Sequence, residues 1–190
     1  MANILIASLG NSPVVVTAMV QQLEQQANLH IDAVYLLYTN DSLADVGADF
    51  IEAALACPVH KRPLLLADVN SFANTMQFLN QANALLQECR QDDVYLSIAG
   101  GRKSMSVMLA MMAQFYPNVR KLYHLINQAD TDFYTIEQLD EMSKERRTKK
   151  LTPTATSTWL IEIPFRCYSQ ADEIYQYLQA TKDDTISSLE

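Results

Sequence analysis

The chain has 190 residues, 49% hydrophobic and 19% charged, enough for one proper core with a modest appendage rather than two independent domains. Its net charge of −8 excludes a general binder of nucleic acid, duplexes included, but leaves room for a polyanion held where positive charge is focused locally. Cys57, Cys89 and Cys167 lack any CxxC spacing and His30, His60 and His124 are scattered, so reduced thiols in a cytoplasmic protein without metal or cofactor are expected.

The opening run, Ile4 to Leu9, is strand-length and has no positive residues before it, which reads as a strand rather than a secretory signal. A helix follows from Pro13 to Gln26. Ala33 to Thr39 reads as the second strand, with Asn40-Asp41-Ser42 able to cap a helix that runs to about Ala56. Pro63 to Leu66 is the third strand. The next helix, Ser71 to Glu88, sets Phe72, Met76, Leu79, Leu85 and Leu86 mainly along one face. Val94 to Ala99 is the fourth strand, Ser104 to Tyr116 the fourth helix and Lys121 to Ile126 the fifth strand. The fourth helix is apolar nearly all round, which requires burial on more than one side and suits a dimer interface. It is too short to cross a membrane.

Residues 127–158 are polar and carry the cluster Lys144, Arg146, Arg147, Lys149 and Lys150. Such a run faces solvent or forms a lid over a bound polyanion, with Phe133 and Tyr134 either stacking on bases or packing in the core. Trp159 to Phe165 reads as a further strand and Gln170 to Gln179 as a last helix, before a frayed tail from Lys182. The expected fold is α/β, a Rossmann-like doubly wound, mostly parallel sheet with a small C-terminal strand-helix appendage. Residues 1–126 form its core, and residues 127–190 complete the same domain.

Glycine is scarce, four in the chain, and three of them are Gly10, Gly100 and Gly101. All three fall where a predicted strand hands over to a predicted helix. In a sheet of order 3-2-1-4-5 the first and fourth strands meet at the topological switch point, so these two loops flank the crevice where ligands bind. Ser12-Pro13 is also what an ordinary capped helix start looks like. Arg102 and Lys103 fit a plain helix start poorly, because two cations in the first turn oppose the helix dipole by about 0.3–1 kcal/mol each. A bound anion reverses that cost. Neither loop has the spacing of a GxGxxG or P-loop signature, which disfavours an ordinary nucleotide or sugar-phosphate enzyme.

Ser8-Leu9-Gly10-Asn11-Ser12-Pro13, paired with Ala99-Gly100-Gly101-Arg102-Lys103-Ser104-Met105, resembles CARF domains, the CRISPR-associated Rossmann-like domains of type III systems. Leu160 to Phe165 is similar to the end of such a domain, so the likeness covers roughly residues 1–165. It implies a homodimer that binds a cyclic oligoadenylate, usually the tetra-adenylate, across its two-fold axis. No arginine has a histidine at the HEPN ribonuclease spacing; Arg120 and His124 are one residue too close. The chain therefore looks most like a stand-alone ring nuclease, which switches off type III CRISPR signalling by metal-independent cleavage to linear products with a 2′,3′-cyclic phosphate. A non-catalytic CARF sensor that regulates a partner would show the same loops.

By the resemblance, the family's loop serine falls on Ser12 and its lysine on Lys103, with Arg102 beside it. Asn11 stands where relatives often have threonine. The expected catalytic set is Ser12, Arg102 and Lys103, with Gly10, Asn11, Asn40, Gly100, Gly101 and Ser104 holding the ligand and no residue holding a metal.

Overall fold

The computed structural model describes residues 1–127, 133–152, 158–165 and 167. Six strands form one sheet: β1 (Asn3–Ser8), β2 (Ala33–Tyr38), β3 (Val59–Pro63), β4 (Asp93–Ser97), β5 (Val119–Asn127) and β6 (Thr158–Ile163). Their order is β3-β2-β1-β4-β5-β6, parallel except for β6, which pairs antiparallel with β5. The assumed order 3-2-1-4-5 is thus observed, and the predicted terminal strand extends it. The predicted helix at Gln170–Gln179 and the tail lie outside the described residues.

Alternation along the central strands explains the two-sided core. Ile4 and Ile6 of β1, with Val94 and Leu96 of β4, face α3 (Phe72–Glu88) and α4 (Lys103–Ala113). Leu5 and Ala7 face the other way, against α1 (Val14–Gln26) and α2 (Ser42–Ala54). Two short helices that sequence periodicity missed, α5 (Ile136–Asp140) and α6 (Lys144–Leu151), pack over α2 through Phe50, Ile136, Leu139 and Leu151.

Two expectations are corrected. The third strand is Val59–Pro63, not Pro63–Leu66: its sequence VHKRP reads as polar because it is an edge strand, where Lys and Pro discourage pairing with other chains. Leu64 and Leu66 are buried, but in the loop that leaves the strand. In α3 the core-facing residues are Phe78, Ala82, Leu85 and Leu86, whereas Phe72 and Met76 point to solvent.

What fixes the crevice between β1 and β4 is backbone packed on backbone. A Cβ on Gly100 would stand 2.1 Å from the Ser8 carbonyl oxygen, and one on Gly10 would stand 2.8 Å from the Gly101 nitrogen. Gly101 has φ +77°, a conformation that favours glycine. The buried Ser8 hydroxyl donates to the Gly100 carbonyl at 2.7 Å, tying strand to loop.

Gly100→Ala is expected to destabilise by about 1–3 kcal/mol, lowering the thermal unfolding midpoint by roughly 2–12 °C. Gly47→Ala meets the end of the flexible Ile136 side chain instead, and calorimetry is expected to show the smaller shift.

Candidate functional site

Four of the described helices begin with a side-chain cap: Asp41 for α2, Ser71 for α3, Thr135 for α5 and Ser143 for α6. The two without one are α1 and α4, which follow the two glycine loops. Their N-termini turn positive dipole ends towards the crevice between β1 and β4, although in α1 the Val15 and Val16 N–H groups already donate to the Ser12 and Pro13 carbonyls, and in α4 the Met105 N–H donates to the Arg102 carbonyl. That arrangement suits an anion.

Ser12 is not a cap. Its hydroxyl donates to the Tyr134 carbonyl at 2.8 Å, so its oxygen lone pairs are what it offers to a ligand. The Asn11 carbonyl accepts from the Ile136 N–H, pinning this loop to α5, while residue 11 itself is exposed. Asn40, at the end of β2, is exposed, and its backbone N–H donates to the Leu66 carbonyl. Gly10, Gly100 and Gly101 form the loop contact itself, and Ser104 donates to the Val69 carbonyl at 3.1 Å.

The two cations differ. Arg102 makes a bidentate pair with Asp68, Nε to Oδ1 and Nη2 to Oδ2, both at 2.9 Å. This pair is exposed on the arginine side, so it aims the guanidinium more than it stabilises the fold. Asp68 leaves Nη1 and the second Nη2 hydrogen for other acceptors. Lys103 is exposed and has no hydrogen-bond or ion-pair partner among the described residues. It is the uncompensated charge at the uncapped end of α4.

The segment between β3 and α3, residues 64–71, was missed by sequence reasoning. It supplies Asp68 to Arg102, the Val69 carbonyl to Ser104 and the Leu66 carbonyl to Asn40, so it walls one side of the crevice. Nothing local marks Asp68 as the partner of an arginine 34 positions later. Tyr38, at the carboxyl end of β2, stays protonated: burial, then a hydrogen bond with Asp45, pushes its phenol up to about 12.

The basic cluster does not act as one unit. Arg147 lies over the Phe50 ring at 4.0 Å and donates to the carbonyls of Leu139, Asp140 and Met142 near the end of α5. It is a structural residue. Lys150 sits over Tyr134 at 4.8 Å, and Phe133 and Tyr134 pack against the core, the packing alternative for those two rings.

Among the described residues no three His, Cys, Asp or Glu side chains come together to hold a metal, and no helix is long and apolar enough to cross a membrane. A cleft of about 580 Å³ beside His30, Asp32 and Cys57 lies at the amino ends of β2 and β3, away from the glycine loops.

The family model described as CRISPR-associated protein NE0113 matches residues 12–188. No curated protein matches the chain in sequence. In fold it is similar to Enterococcus italicus Csm6 bound to cyclic hexa-2′-fluoro-hexa-dAMP, with TM-score 0.60 and 15% identity over 99% of this chain and 46% of that one. The chain thus spans under half of that protein. A second match, protein VC1899 from Vibrio cholerae, has TM-score 0.48 and 10% identity over 68% of this chain and 32% of the other. The expected kinship with CRISPR-associated proteins is borne out by the family match, and the expected fold by the structural one.

Arg147→Ala is expected to destabilise by about 2–3 kcal/mol, through lost charged hydrogen bonds and ring packing. Thermal denaturation reads this as a drop of roughly 4–12 °C. The exposed Lys149→Ala is expected to stay within about 0.5 kcal/mol of the parent.

Proposed function

We propose that this chain, which belongs to the CRISPR-associated protein NE0113 family, binds a cyclic oligoadenylate in the crevice between its glycine loops and cleaves the ring. The observation that carries the reading is the pair of uncapped helix N-termini, α1 and α4, converging on that crevice beside the unpaired Lys103. Such a site asks for closely spaced phosphates. A protein of the same fold was solved with a cyclic oligonucleotide bound, which supports the choice of ligand.

The site is completed by a second copy. The core face of α4 uses Met105, Leu109, Met112 and Ala113, and the opposite side leaves Val107, Met111 and Phe115 52%, 49% and 53% exposed. Val107 and Met111 stand one turn apart on the helix that begins with Lys103, and Phe115 extends this apolar stripe in the turn just past the helix end at Ala113. Joining two stripes around a two-fold axis brings both Lys103 residues towards one symmetric ring.

Cleavage is an in-line displacement within the ligand. The ribose 2′-oxygen attacks its own 3′-phosphorus, the bond to the 5′-oxygen breaks, and a 2′,3′-cyclic phosphate remains. The proton lost by the 2′-hydroxyl is matched by one gained at the leaving 5′-oxygen. Lys103 stabilises the charge that develops on the non-bridging oxygens, and the free donors of Arg102, aimed by Asp68, assist. Ser12, whose proton is committed to Tyr134, accepts from the attacking hydroxyl and orients it. No metal has a part in this scheme.

A sensor that binds without cleaving is favoured by one feature. The crevice residues named above include no imidazole, and their one carboxylate, Asp68, is engaged by Arg102.

Labelled cyclic tetra-adenylate and cyclic hexa-adenylate, incubated with the protein with and without EDTA, separate these readings. EDTA-insensitive release of linear product is expected, and Lys103→Ala is expected to slow it about 100- to 1000-fold. Binding without turnover would establish the sensor, and EDTA-sensitive turnover would overturn the metal-free scheme.

A further inference from the structure

The wall formed by residues 64–71 ends in a feature that the phosphate chemistry does not use. Phe72, the first residue of α3, is 81% exposed, and Leu65 in the same wall is 78% exposed. The core does not need the Phe72 ring, because α3 buries Phe78, Ala82, Leu85 and Leu86 instead. The backbone beneath it is firmly braced. Ser71 caps the helix at Asn74, the Asn74 side chain donates to the Asp68 carbonyl, and Asp68 holds Arg102. Phe72 lies only three residues beyond Val69, whose carbonyl accepts from Ser104, so its Cα is within roughly 11 Å of that crevice contact. Ser104 directly follows Lys103, so Phe72 stands on the side of the crevice that the lysine borders.

We propose that Phe72 is a stacking platform for a nucleobase of the ligand, which makes the β3–α3 segment the part of the site that senses bases. The proposal rests on the cyclic oligoadenylate reading and adds a division of labour to it. Helix N-termini and Lys103 bind phosphates of any sequence, so they give affinity without regard to the base. An aromatic face in water beside them gains by covering itself with a base, and purines offer it the larger surface. Each stacked base tightens binding on the order of 5- to 150-fold. Phenylalanine carries no hydrogen-bonding group, so this contact favours purine over pyrimidine without distinguishing one purine from another.

Calorimetric titration of the parent, Phe72→Ala and Phe72→Trp with cyclic tetra-adenylate and cyclic tetra-uridylate tests this, with sedimentation velocity on the same samples. Phe72→Ala is expected to weaken the adenylate ring at least tenfold and the uridylate ring less. Its unfolding midpoint and sedimentation are expected to stay unchanged, and Phe72→Trp is expected to restore binding. Unchanged adenylate affinity in Phe72→Ala overturns the proposal. So does a shift of that variant alone to a slower-sedimenting species, which would make Phe72 part of a contact between copies. A parent protein that binds neither ring overturns the underlying reading first, and is distinguished by failing before any substitution is made.

Discussion

Everything at the crevice depends on the close approach of two peptide backbones. Gly100 lies so near the Ser8 carbonyl, and Gly10 so near the Gly101 nitrogen, that any side chain at the first position collides with main chain. This contact brings the ends of β1 and β4 together at the switch point of the sheet. It also aims α1 and α4 from either side at the same space. The remaining features of the site are positioned by that contact: Ser12 and Lys103 by the two loops, and Arg102 through its pairing with Asp68.

The electrostatics follow from the same geometry. A protein of net charge −8 does not attract polyanions broadly, so any phosphate affinity has to be local. Here the local field has two sources, the uncapped helix ends and a lysine without a counter-charge among the described residues. Asp68 tempers the field by occupying one side of Arg102, which converts a loose cation into an oriented donor. The chain accepts an exposed, unpaired positive charge where the helix dipole is least favourable to it, an arrangement that an anionic ligand relieves.

Much of the fold was legible because the central strands are buried on both faces and read as apolar runs. The glycine loops were legible because so few glycines occur elsewhere. Edge strand β3 was misplaced for the opposite physical reason: its exposure leaves no hydrophobic signal, while the buried Leu64 and Leu66 beyond it supply one. α5 and α6 were missed because each is short and its core contribution is only one or two residues. The role of Asp68 was invisible because its partner Arg102 lies 34 positions later, and that of Arg147 because the fold brings the distant Phe50 ring beneath it and turns the nearby carbonyls towards it. A basic run that invited a lid therefore contains a residue committed to holding α5 against α2.

We propose that two copies of this crevice share one symmetric ring. Isothermal titration of the protein with cyclic tetra-adenylate, using a slowly cleaving Lys103→Arg variant if turnover interferes, tests it most directly. Saturation is expected at one ring for every two chains, with both chains sedimenting together. Saturation at one ring per chain, on a protein that remains monomeric, would contradict it.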